Sequence, residues 1–63
     1  MSAAHINSVT VLAAIGKGYV SRGELEDYFE VDPGNEFLRR ALNDLEHHGH
    51  ITWNRKTGEV TAR

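Results

Sequence analysis

The chain contains no cysteine, which excludes disulfide staples and thiolate metal sites and suits a reducing compartment. A single proline, Pro33, leaves one position where a ring fixes the backbone. Aromatic residues make up only 8% of the chain. No apolar run approaches the ~20 residues a membrane-spanning helix needs, and none has the form of a signal peptide, so no membrane is expected and the cytoplasm is the expected location. Neither sign of charge dominates: the formal net charge is −2, which counts mildly against a general polyanion binder. Catalytic apparatus is missing too. There is no glycine-rich phosphate loop, and no serine has a partnered histidine and acid at a readable spacing. The expectation is no enzyme and no cofactor.

What is present is periodic. With 63 residues, 40% of them hydrophobic, the chain is expected to form one domain over 1–63, near the lower size limit for an unassisted core. Phe37, Leu38, Ala41, Leu42 and Leu45 mark one apolar face of a helix expected over 33–48. Asp32 is read as its cap, Pro33 as its first position and Gly49 as its stop. A first helix is expected over 3–17 from Ile6, Val9, Leu12, Ala13 and Ile15, with Ser2 or Asn7 as cap. Gly16-Lys17-Gly18 ends it, and Tyr19-Val20 is read as an extended link able to bridge to the C-terminal strands.

Ser21-Arg22-Gly23-Glu24 is a capping box, with Val20 and Leu25 placed for a hydrophobic staple. It opens a second helix over 22–30 that buries Leu25, Tyr28 and Phe29. Its acidic residues Glu24, Glu26 and Asp27 complement the helix dipole, so no metal site is assigned to them. The short link Val31-Asp32-Pro33-Gly34 imposes a sharp change of direction. The expected core is Ile6, Val9, Leu12, Ile15, Leu25, Phe29, Phe37, Leu38, Leu42 and Leu45.

Strands over 51–54 and 59–62 are expected to cover that core. A loop of Lys56-Thr57-Gly58 would pair Trp53 with Thr61 and mix the two faces. A loop of Arg55-Lys56-Thr57-Gly58 pairs Trp53 with Val60 and Ile51 with Ala62, giving one apolar side. The second register is the one expected, with Trp53 in the lid rather than stacked on a base.

Three helices followed by a hairpin, carried by V-L-A-A-I-G-K-G-Y-V-S-R-G-E-L, L-R-R-A-L-N-D-L-E-H-H-G-H-I-T-W-N and K-T-G-E-V, resemble the winged helix-turn-helix family. Leu42, Leu45, Gly49 and Ile51 form a phrase similar to one in MarR-like and ArsR-like regulators. The resemblance implies a mainly α fold with a small β-hairpin. It also implies binding of double-stranded DNA, with the third helix in the major groove and the hairpin tip on the backbone. By that resemblance Asn35, Arg39, Arg40 and Asn43 would face bases, while Arg22, Arg55 and Lys56 would face phosphate.

Two features depart from the family. Glu36 and Asp44 share the third helix with the arginines, and the 63 residues hold none of the additional helices those regulators use to dimerise. A module this small reads few base pairs, so a second copy or a partner protein is a natural requirement. The alternative is a protein-interaction module of the same fold, using Tyr19, Val11 and Tyr28 or the acidic second helix. His47, His48 and His50 invite a zinc reading, but no four-ligand set completes it. Histidines at a helix C-terminus gain from the dipole and from free carbonyls, which is the expected role.

Overall fold

The computed structural model describes residues 6–63. Helices α1 (Ser8–Gly16), α2 (Arg22–Phe29) and α3 (Glu36–His47) precede strands β1 (Ile51–Trp53) and β2 (Val60–Ala62), which form one antiparallel pair. The fold is therefore mainly helical with a small hairpin, as expected. Among the described residues no helix is long and apolar enough to cross a membrane.

α1 starts later than its periodicity implies. The Asn7 side chain accepts from the Thr10 amide at 3.0 Å, and the Thr10 hydroxyl accepts from the Asn7 amide at 3.0 Å. This reciprocal cap fixes the start at Ser8 and leaves Ile6 outside the helix. Residues 1–5, and with them Ser2 as a cap, lie outside the described residues. The buried stripe also differs: Ile15 faces the core as expected, but Val11 and Ala14 join it, whereas Val9 is 78% exposed. Residues two positions apart on a helix are separated by about 200°, so Val9 and Val11 cannot share a face. Almost every position of S-V-T-V-L-A-A-I-G is small or apolar, and packing against the other elements selects one of two competing stripes.

α2 is capped as its sequence implies, with one difference. The Glu24 amide donates to the Ser21 hydroxyl at 3.2 Å, but the Glu24 carboxylate accepts from the Val20 amide at 3.1 Å rather than from that of Ser21. Ser21 is also the bridge partner of Glu59, held there by backbone bonds of its two neighbours. The Val60 amide donates to the Val20 carbonyl at 2.7 Å and the Arg22 amide to the Gly58 carbonyl at 2.8 Å. The extended link thus lies beside the hairpin, with its bridge centred one residue later than Tyr19-Val20. Replacing Ser21 by alanine is expected to lower stability by ~1 kcal/mol through loss of the cap. Denaturant unfolding checks this: a midpoint equal to that of the parent protein means that the cap contributes nothing.

α3 begins at Glu36, not at Pro33. Asp32 closes a turn in which its carbonyl accepts from the Asn35 amide at 3.1 Å, and Gly34 has φ +83°, a conformation no helix contains. Asn35 is the cap, its side-chain oxygen accepting from the Leu38 amide at 3.1 Å. The Glu26 carboxylate secures the turn from α2 by accepting from the Gly34 amide at 3.0 Å. The buried stripe of α3 is Leu38, Ala41, Leu42 and Leu45. Phe37, expected in the core, is 63% exposed, because one residue's step rotates it about 100° from Leu38.

The hairpin has the expected register, with Trp53 opposite Val60, Thr52 opposite Thr61 and Ile51 opposite Ala62. Ile51, Trp53 and Val60 are buried over the helices, while Ala62 at the strand end is exposed. Gly58 closes the loop at φ +80°, its amide donating to the Asn54 carbonyl at 2.8 Å.

Candidate nucleic-acid interface

With Leu38, Ala41, Leu42 and Leu45 turned inward, α3 turns Glu36, Arg39, Arg40, Asn43 and His47 outward. The Arg39 side chain has no hydrogen-bond or ionic partner among the described residues. Arg40 lies 3.8 Å from Glu36 one helical turn earlier, and both side chains are about two-thirds exposed (71% and 66%). A pair this exposed is a weak restraint that solvent and salt readily loosen. Asn35 stands at the head of the same helix, with its oxygen committed to the cap.

Asn43 and Arg55 are brought into direct contact. The Arg55 guanidinium donates to the Asn43 side-chain oxygen at 2.8 Å and to both oxygens of the Glu46 carboxylate at 2.7 and 3.3 Å. It also covers the Trp53 ring, 4.3 Å from its centroid. The hairpin loop is in this way tied back onto the C-terminal half of α3. The Arg55 hydrogen bond holds the Glu46 carboxyl below its ordinary 4.5, and Glu46 in turn raises the Arg55 guanidinium.

The sign of the resulting pH effect follows from the Glu46 shift. A carboxylate whose pKa is lowered on folding contributes stability that is fully present above its unfolded value. That contribution is lost as pH falls through the lowered folded value. The melting temperature should therefore fall more steeply with acid in the parent than in Glu46→Gln, in the window just below pH 4.5. Parallel curves would show that the pair is too well solvated to matter.

Lys56 sits at the loop tip, where its backbone amide donates to the Asn54 side chain at 2.9 Å and its ammonium stays exposed. Arg22 is placed differently. It lies 3.4 Å from the Glu26 carboxylate, half-buried beside the α2–α3 turn, and its backbone joins Gly58 at the base of the loop. Its Nε is buried and makes no hydrogen bond among the described residues, although a Glu26 oxygen lies 3.4 Å away. Arg39, Arg40, Asn43, Arg55 and Lys56 therefore share a helix face and the loop beside it, while Arg22 and Asn35 support the turn that positions them.

No family of proteins, no characterised protein and no solved structure matches this chain. Its chemistry rests on its own residues.

Glu46 and Trp53 belong to the arrangement although neither stands out by type. Glu46 falls nine residues before Arg55, a separation no helical or strand rule connects, so only the return of the hairpin reveals the pair. Among the described residues no group of three or more His, Cys, Asp or Glu could hold a metal ion. The His48 ring instead meets the Asp44 carbonyl at 2.9 Å, as suits the end of a helix.

The apolar surface also differs from expectation. Of the residues expected there, Val11 is fully buried, whereas Tyr19 stays exposed and packs on Tyr28 with ring centroids 4.6 Å apart. Among the described residues Val9 and Phe37 are the most exposed large apolar ones. They flank two adjoining open grooves between α1 and α3, of ≈ 460 and ≈ 340 Å³, which share Ser8 and Asp44.

Proposed function

We propose that this chain is a small DNA-binding protein of winged helix-turn-helix type, acting as a transcription regulator in the cytoplasm. In this reading α3 enters the major groove and the loop over residues 55–58 serves as the wing. The observation that carries it is the outward face of α3, where Arg39 is unpartnered and Arg40 is held only by an exposed contact to Glu36. Arginine donates to guanine O6 and N7 with a geometry matched to its fork. Lys56, on the loop that Arg55 ties to the same helix, reaches toward the sugar-phosphate backbone. The four cations of this edge, Arg39, Arg40, Arg55 and Lys56, outnumber its three carboxylates, Glu36, Asp44 and Glu46, although the whole chain is acidic.

Titration against random-sequence duplex DNA at low and then moderate salt tests the proposal. Affinity should fall as salt rises, and Lys56→Ala should reduce the slope of log K against log salt by about one. Absence of salt-sensitive binding to any duplex overturns the reading. A second reading then takes its place, a protein-interaction module whose contact surface includes Val9 and Phe37. The exposure of both residues, 78% and 63%, favours it. A second copy of the chain or a partner protein would fill that role, and could also assist DNA binding by supplying a second half-site.

A further inference from the structure

Arginine has only donors to offer, so the Asn43 atom 2.8 Å from the Arg55 guanidinium is its side-chain oxygen. The Asn43 amide nitrogen has no partner among the described residues, and it lies on the exposed face of α3. Arg55 is itself fixed on the two oxygens of Glu46 and over the ring of Trp53, which is 93% buried by its 7% exposure. A freely rotating asparagine could present either end of its amide to a base. This one is held by a guanidinium that is anchored on its other sides.

We propose that Arg55 is a positioning residue which fixes Asn43 as a hydrogen-bond donor, so that α3 selects guanine rather than adenine at the base pair Asn43 meets. Adenine is read by an asparagine whose oxygen accepts from N6 while its nitrogen donates to N7. With the oxygen engaged by Arg55, the nitrogen is the end of the amide left without a partner. Guanine presents two acceptors there, N7 and O6, and meets a donor at both. This inference rests on the DNA-binding reading, but it reverses the role that resemblance assigns to Arg55. The guanidinium acts through Asn43 and is not spent on phosphate.

The test uses the full chain and a duplex selected from a randomised pool, with G·C exchanged for A·T one position at a time. The parent should prefer G·C at one position that Asn43→Ala makes indifferent, a loss of about tenfold. Arg55→Lys keeps the charge but not the planar fork. It should lose the same discrimination while leaving the salt slope within about half a unit of the parent's. The double variant should lose no more than either single, the non-additivity expected of residues acting as one unit. Glu46→Gln keeps Arg55 and loosens its anchor, and should lose part of the same preference. In the free protein, NMR should show the Asn43 side-chain amide signals shifting in Arg55→Lys while those of Asn35 and Asn54 stay.

Preference for A·T at the Asn43-dependent position overturns the inference. So does Arg55→Lys with discrimination intact, or additive losses in the double variant; each leaves DNA binding standing. A parent that binds no duplex overturns the functional reading and this inference together, whatever the NMR signals show.

Discussion

Leu42→Ala should destabilise the domain by about 2–5 kcal/mol, the range for emptying a buried leucine site. Leu42 is fully buried at the centre of the α3 stripe, with Leu38, Ala41 and Leu45 around it. A chain of this length has a total stability on the order of 3–9 kcal/mol at ordinary per-residue values. The substitution therefore removes a large part of what holds the fold, and the variant should be substantially unfolded at temperatures the parent tolerates. Phe37→Ala is the informative control. Phe37 belongs to the same apolar run, and truncating a buried phenylalanine costs about 3–5 kcal/mol. At 63% exposure it should instead shift stability by less than about 1 kcal/mol. Denaturant melts of the two variants separate these cases. If Leu42→Ala melts like the parent, or Phe37→Ala collapses it, the buried face of α3 has been assigned wrongly.

That control marks the boundary of what a sequence can disclose. The hairpin register was legible because Ile51, Trp53 and Val60 all had to reach one side, and a slip of one residue would exchange the faces. The start of α2 was legible because Ser21 and Glu24 satisfy a purely local rule. The stripe of α1 was legible only at Ile15, since Val9 and Leu12 compete with Val11 and Ala14, and packing from α2, α3 and β2 decides. The start of α3 misled because Asp32-Pro33 carries a local start signal, whereas Gly34 at positive φ extends the turn and leaves Asn35 as the cap.

The candidate interface divides the same way. Exposure of Arg39, Arg40 and Asn43 follows from helical period alone. The contact of Arg55 with Asn43 and Glu46 depends on how a loop folds back over a helix end, which is long-range geometry. Arg22 shows the converse: its place at the start of α2 was legible, yet its partner Glu26 one turn later, and the α2–α3 turn beside it, draw it inward.

Replacing Arg39 and Arg40 together by alanine should remove most of the sequence preference while leaving the fold intact. Neither side chain supports the core. Arg39 has no partner among the described residues, and Arg40 has only the exposed Glu36 contact at 3.8 Å. The melting temperature should therefore stay close to the parent's, within the small range typical of surface substitutions. Binding should behave differently. Each arginine that makes a bidentate contact to guanine contributes about 1–3 kcal/mol of discrimination. If both residues read bases, the double variant loses roughly 2–6 kcal/mol on a selected sequence and much less on random duplex. The advantage of the selected site should then nearly vanish. A phosphate-only role gives a different signature, with equal losses on both DNAs and a salt slope lower by about two. Because Glu36 remains after the change and the chain is already acidic, low ionic strength is the proper starting condition. A double variant that folds normally and keeps the parent's affinity and preference removes α3 from the interface, and the exposed surface around Val9 and Phe37 becomes the leading contact site.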